Sequence, residues 1–157
     1  MHKRNAFTMI ELIFVIVIIG ILAAIAIPKL SATRDDAEVS KIVANARTFH
    51  SDLQNYYTSL GNSKWIDDNI TSVTSVYLND GDCSTQATSI SNISPNTFVL
   101  CSEDVICLSF STQNDGNLTI ADGTITTSPI CEAVKKVPAI VSMSNQSYKL
   151  GGETVER

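Results

Sequence analysis

The sequence is poor in the residues and motifs that catalysis and nucleotide binding require. Its 157 residues include two histidines, His2 and His50. His50 has only Asp52 nearby, so no Ser-His-Asp set has a credible geometry. Neither a G-x-x-x-x-G-K loop nor a G-x-G-x-x-G turn occurs, which removes the support for nucleotide binding. We therefore predict a protein that is not an enzyme and holds no metal ion or cofactor, with His50 as a satisfied interfacial side chain.

A basic surface is also missing. The formal net charge is −5 and the pI is about 4.8, whereas binding to nucleic-acid phosphates requires clustered lysine and arginine. The adjacent Lys135 and Lys136 are typical of a solvated face. Residues 79–82, Asn-Asp-Gly-Asp, have the oxygen content of a calcium loop. They lack the twelve-residue EF-hand pattern, and we interpret them as a surface turn.

Charged side chains are absent from one long stretch near the N-terminus. Residues 12–27 contain no charged or strongly polar side chain, and they follow a short positive start of His2, Lys3 and Arg4. Such a start stays on the cytoplasmic side of a membrane. As a helix rising about 1.5 Å per residue, residues 7–27 would span roughly 31 Å, enough to cross the hydrocarbon core.

Two ordinary explanations of this stretch fit incompletely. A cleaved secretory signal peptide has a shorter apolar run, usually of about 7–15 residues. A plain single-pass anchor fits everything except Glu11, because a carboxylate in such a helix costs about 2.5–3.5 kcal/mol at mid-membrane and somewhat less near the interface. A cut between Ala6 and Phe7 would create an α-amino group about one helical turn from Glu11. In a staggered bundle of identical helices, that amine could meet the Glu11 of a neighbour.

The motif A-F-T-M-I-E-L, followed by an apolar run and Pro28, resembles the prepilin N-terminus of the type IV filament superfamily. That superfamily comprises type IV pilins, type II secretion pseudopilins and competence pseudopilins. The resemblance is close over about residues 3–45 and only architectural beyond them. It implies a leader of residues 1–6 that a prepilin peptidase removes, with methylation of the new Phe7 amine.

The resemblance also implies roles for single residues. Glu11 would be the carboxylate needed for assembly, and Gly20 and Pro28 match positions where this helix is often weakened or kinked in filaments. The chain departs from the family at Ala6, where glycine usually precedes the cut. Alanine is small enough for such a peptidase subsite, but cleavage after Ala6 could be slower.

The function implied by the resemblance is structural. We predict a pseudopilin-like subunit of a type II secretion filament or a related system, and a type IV pilin is the second possibility. A minor tip subunit for adhesion or DNA uptake is the alternative, and a plain bitopic protein that retains residues 1–6 is a third. The expected partners are copies of the chain or other pilin-like subunits, the prepilin peptidase and an inner-membrane assembly platform. Nucleic acid is expected only in a competence system.

The implied location is the inner membrane, crossed once, with a periplasmic head that is carried into a periplasmic or cell-surface filament. Behind such an export segment, an even number of cysteines indicates two disulfides. Cys83, Cys101, Cys107 and Cys131 contain no C-x-x-C pair, which argues against a zinc or redox motif. Three pairings are possible. We favour Cys83–Cys101 and Cys107–Cys131, each joining a loop to the neighbouring strand.

Beyond Pro28 the apolar residues recur at steps of three and four. This spacing predicts one apolar stripe on an amphipathic helix. The stripe consists of Val39, Ile42, Val43, Ala46, Phe49, Leu53, Tyr56 and Leu60. Because proline removes one backbone hydrogen bond without ending every helix, we predict a bent helix over residues 8–60. Residues 7–28 would be its transmembrane part, 29–60 its amphipathic part, and 61–157 the globular head.

The head shows short β-rich segments separated by turn signals. The predicted antiparallel meander consists of residues 97–101, 105–112, 118–121 and 124–127, with 139–143 and 147–150 as an added edge. We interpret residues 66–78 as a loop with a short helix. The predicted fold is α+β, a long N-terminal helix packed against a small antiparallel sheet.

Overall fold

The computed structural model describes residues 7–87, 93–123 and 128–151. They form two compact units, which divide between Ala37 and Glu38. The helices within these residues are α1 (Met9–Leu60), α2 (Asn62–Asp67), α3 (Ile70–Val73), α4 (Pro129–Lys136) and α5 (Pro138–Val141). The strands are β1 (Asn79–Asp80), β2 (Asn96–Ser102), β3 (Val105–Thr112), β4 (Asn117–Asp122) and β5 (Gln146–Lys149).

Helix α1 confirms the predicted long helix, starting one residue later than expected and continuing past Pro28. It ends at Leu60 because Gly61 adopts a φ of +76°, a conformation that favours glycine and terminates helices. The predicted bend at Pro28 stays a prediction.

The sheet is an antiparallel meander in the order β1-β2-β3-β4-β5. The predicted segments 97–101, 105–112, 118–121 and 147–150 correspond to β2, β3, β4 and β5, whereas residues 124–127 lie outside the described residues. Strands β2 and β3 are joined by the two-residue turn Glu103–Asp104, since Ser102 pairs with Val105. The short strand β1 adds an edge that the sequence analysis did not predict.

The strand predicted at residues 139–143 is wrong. These residues begin in α5, where Pro138 occupies the first turn, a favoured position for proline. The buried Ile140 and Met143 are three residues apart and therefore share one side of a helical turn. Helix α4 was also missed, although Ser128 caps it by accepting a hydrogen bond from the Cys131 backbone N–H. The predicted short helix within residues 66–78 corresponds to α3.

The core of the second unit lies between α1 and the inner face of the sheet. Phe49 is fully buried and packs edge-to-face on Phe98 and Phe110, with ring centroids 5.7 and 5.1 Å apart. Such aromatic pairs add about 0.5–1.5 kcal/mol beyond the area they bury. The stripe prediction is wrong at Leu60, which is 51% exposed because the helix ends there. Trp65 from α2 is buried and donates to the Gln113 carbonyl at 2.8 Å.

The cysteines pair as predicted, Cys83 with Cys101 and Cys107 with Cys131. The first bond joins the loop after β1 to β2. The second joins β3 to α4, a helix rather than the loop expected. The bonded residues are 18 and 24 positions apart, and closing loops of this size stabilises a domain by about 3 kcal/mol each in the chain-entropy account.

Tyr57 of α1 lies against two glycines. A Cβ on Gly116 would overlap the Tyr57 ring, and one on Gly151 would come within 2.8 Å of it. The ring also meets the edge of Trp65, with centroids 5.3 Å apart. Gly116 has a φ of +77°, so both its conformation and the space around it require glycine.

We expect Gly116→Ala to destabilise the protein by about 2–5 kcal/mol, the sum of overpacking and a left-handed backbone. Gly81→Ala is the matched control, because Gly81 has a φ of +60° with open space at its Cβ position. It should cost only about 1–2 kcal/mol. Urea unfolding of the full chain in detergent measures the free energy of unfolding of both variants. Equal losses of this free energy would contradict the packing argument.

Candidate assembly site

The first unit exposes the whole apolar surface of its helix. Its large apolar side chains from residue 7 to residue 30 are between 41% exposed, at Ile18, and 86% exposed, at Phe7. Soluble monomers rarely expose an apolar patch of this extent. Within the described part of the chain, α1 is the helix long and apolar enough to cross a membrane.

A reciprocal cap joins Thr8 to Glu11 at the start of this helix. Glu11 Oε2 accepts from the Thr8 backbone N–H at 2.8 Å and from Thr8 Oγ1 at 2.7 Å. The Glu11 backbone N–H donates to Thr8 Oγ1 at 3.3 Å. This is a capping box, which satisfies backbone donors that a helix start leaves free. The sequence analysis missed Thr8, although Thr-x-x-Glu before an apolar run signals such a cap.

The capped carboxylate keeps capacity for another partner. Both Thr8 donors use Glu11 Oε2, and no hydrogen bond to Oε1 comes from the residues that the structure describes. Phe7 is the neighbour of Thr8 in the chain, so an amine created at Phe7 would lie one residue before the cap. Ala6 lies outside the described residues.

Gly20 and Pro28 both lie inside α1. No atom lies within 4 Å of the position that a Cβ on Gly20 would occupy, so packing within the chain does not require glycine there. The weakening of the helix at these two positions stays a prediction.

Comparison with known proteins identifies this N-terminal segment. Residues 1–27 match the family described as the prokaryotic N-terminal methylation motif. The chain is 37% identical over 64 residues to type II secretion system core protein G of Klebsiella michiganensis. This alignment covers 41% of this chain and 44% of that protein. The protein of the same name from Dickeya chrysanthemi is 33% identical over 64 residues, covering 41% and 40%. No solved structure matches significantly.

The N-terminal segment thus carries the prokaryotic N-terminal methylation motif. The chain spans less than half the length of these curated relatives. Over the described residues, α1 supplies the single candidate membrane span.

The acidic turn at residues 79–82 uses the Asp82 carboxylate for hydrogen bonds within the head. Asp82 Oδ1 accepts from the Ser84 and Thr85 backbone N–H groups at 2.9 and 3.0 Å, and from Ser84 Oγ. These hydrogen bonds lower the pKa of Asp82. Across residues 7–87, 93–123 and 128–151, no three His, Cys, Asp or Glu side chains lie close enough together to hold a metal ion.

Lys135 differs from the predicted solvated side chain. Its Nζ donates to the Gly123 carbonyl at 3.0 Å and lies 3.7 Å from Glu132 Oε1. Lys136 is exposed, as predicted. The adjacent lysines therefore have different surroundings, because α4 turns Lys135 towards the end of β4 and Lys136 away from it.

His50 is not the satisfied side chain that the sequence analysis predicted. Its Nε2 is buried and has no hydrogen-bond partner among the described residues. Its ring packs beside Tyr148, with centroids 4.7 Å apart. Burial lowers the pKa of His50, since the charged imidazolium loses hydration that this site does not replace.

Acid should therefore destabilise the head through His50. Its folded-state pKa lies below the unfolded value of about 6.5, so the unfolded state binds the proton more readily and the free energy of unfolding falls as the pH drops below about 6.5. Thermal unfolding of the full chain in detergent between about pH 5 and 8 measures this. His50→Phe, which keeps a ring beside Tyr148, should flatten the dependence. An unchanged slope in this variant would assign the effect to other groups.

Proposed function

We propose that the chain is a structural subunit of a type II secretion filament or a closely related type IV filament. One observation carries this proposal: a helical segment with exposed large apolar side chains begins with a capped carboxylate inside a prokaryotic N-terminal methylation motif. A filament of parallel helices uses each of these features. A plain anchor needs the apolar surface but has no use for the acid.

The proposed mechanism begins with cleavage between Ala6 and Phe7 and methylation of the new amine. Glu11 Oε1 of one subunit then accepts a hydrogen bond from the Phe7 ammonium of its neighbour. Either charge alone is costly in a low-dielectric environment, whereas a paired carboxylate and ammonium offset each other. The pairing therefore sets the stagger between neighbours, while van der Waals packing of apolar side chains supplies contact along the helices.

The proposal assigns a location and partners to the subunit. Before assembly it resides in the inner membrane with the head in the periplasm, where the two disulfides can form. Its partners are further copies or other pilin-like subunits, the prepilin peptidase and the assembly platform. The subunit acts by assembly and catalyses no reaction. The naming of two relatives as core proteins of type II secretion supports the secretion filament in preference to a tip subunit.

We expect Glu11→Gln to remain in the membrane but to reduce filament yield at least about tenfold, because a neutral amide loses the charge-assisted contact with the neighbouring amine. The matched control is Asp35→Asn, which neutralises an exposed acid of the same helix and should assemble normally. Filaments sheared from cells are quantified by immunoblotting and electron microscopy. Wild-type yields from Glu11→Gln would exclude the pairing mechanism.

Processing should leave a chain that begins at Phe7 with a methylated amine. Intact mass and N-terminal sequencing of the membrane fraction test cleavage and methylation together. A chain that still begins at Met1 would support the plain anchor. A start beyond residue 27 would show that the apolar segment is a signal peptide, and either result would refute the proposed function.

A further inference from the structure

Arg47 is an exposed cation on the outer side of α1. Among the described residues the ion pair is Lys135–Glu132, and Arg47 forms neither an ion pair nor a side-chain hydrogen bond there. The exposed side chains beside it on the helix, Ala44 and Ser51, are small. The guanidinium is therefore accessible to another molecule, with little side-chain bulk to block its approach.

A groove with the matching chemistry lies in the same unit. Its volume is about 320 Å³, and its lining includes Glu38, Lys41, Tyr77 and Glu103. Glu38 is positioned by a hydrogen bond from Ser102 Oγ at 2.8 Å. Two carboxylates against one ammonium leave the groove negative, and Tyr77 is 60% exposed. Carboxylates beside an accessible aromatic ring are the groups that a guanidinium binds best.

The groove cannot take Arg47 of its own chain. Glu38 and Arg47 are nine residues apart on one helix, and at about 100° per residue they point to opposite sides of it. Arg47 and the groove thus lie on two different faces of the second unit. A contact between two such faces is heterologous, and repeated copies joined this way form an open helical filament or a ring.

We propose that Arg47 of one copy binds in the groove of the next copy, between Glu38, Tyr77 and Glu103. This inference rests on the proposed filament and names a contact between heads that accompanies the pairing at Glu11. The occupant is a second copy because the two surfaces are complementary in charge and carried by every subunit.

Charge reversal tests the contact. Arg47→Glu and Glu103→Arg should each lower the yield of filaments about tenfold or more, since like charges would then face each other across the interface. The double variant Arg47→Glu/Glu103→Arg restores opposite charges and should recover yield to within about threefold of wild type. Lys149→Glu, a reversal at an exposed strand residue, is the control. Thermal unfolding of each full-length variant in detergent shows that its head is folded.

The outcomes separate this contact from the proposed function. If Glu11→Gln blocks assembly while both single reversals assemble normally, the contact is wrong and the filament function stands. A double variant no better than the worse single variant also refutes the contact. If only Arg47→Glu is defective, Arg47 binds another partner and the groove is not its site. Failure of the wild-type chain to form filaments would overturn both proposals.

Discussion

The proposed assembly depends on a carboxylate at a position where an unpaired charge costs free energy. Glu11 lies in the first turn of an apolar helix, and Thr8 offsets part of that cost by donating two hydrogen bonds to one carboxylate oxygen. A cap of this kind stabilises a helix start by about 1 kcal/mol. That gain is smaller than the penalty for placing an acid within the membrane. The cap therefore orients the acid without accounting for its presence, which the neighbouring subunit explains in the proposed filament.

The same helix serves the head in a different way. From Ile42 to Leu53 its buried residues complete the core against the inner face of the sheet, while its outer side leaves Arg47 exposed. Two disulfides join strands β2 and β3 to the loop after β1 and to α4. One face of α1 therefore completes the core, and its outer face is exposed for the contact that we propose with another copy of the chain.

Local patterns predicted α1, strands β2 to β5 and the short helix α3, but they missed α4 and β1 and assigned α5 to a strand. The three- and four-residue spacing of α1 and the β-rich composition of β3 extend over enough residues to be decisive. Helix α5 has four residues, too few for a period to distinguish it from a strand. The groove at Glu38 and Glu103 was not predictable, because it depends on which residues the sheet register brings beside the helix. Thr8 could have been found from its capping pattern. The lack of a hydrogen-bond partner for His50 Nε2 among the described residues could not be predicted, since it depends on tertiary packing.

The contacts of Phe49 have a consequence for how the chain reaches its native state. Its ring packs on Phe98 and Phe110, which are synthesised about fifty and sixty residues later. Contacts between positions so distant in the chain form slowly. Until the sheet arrives, the apolar stripe of α1 has no cover of its own. In the proposed membrane-bound subunit, an amphipathic helix can place its apolar side at the headgroup–acyl boundary of the bilayer, so we expect the head to fold while the nascent chain lies close to the bilayer.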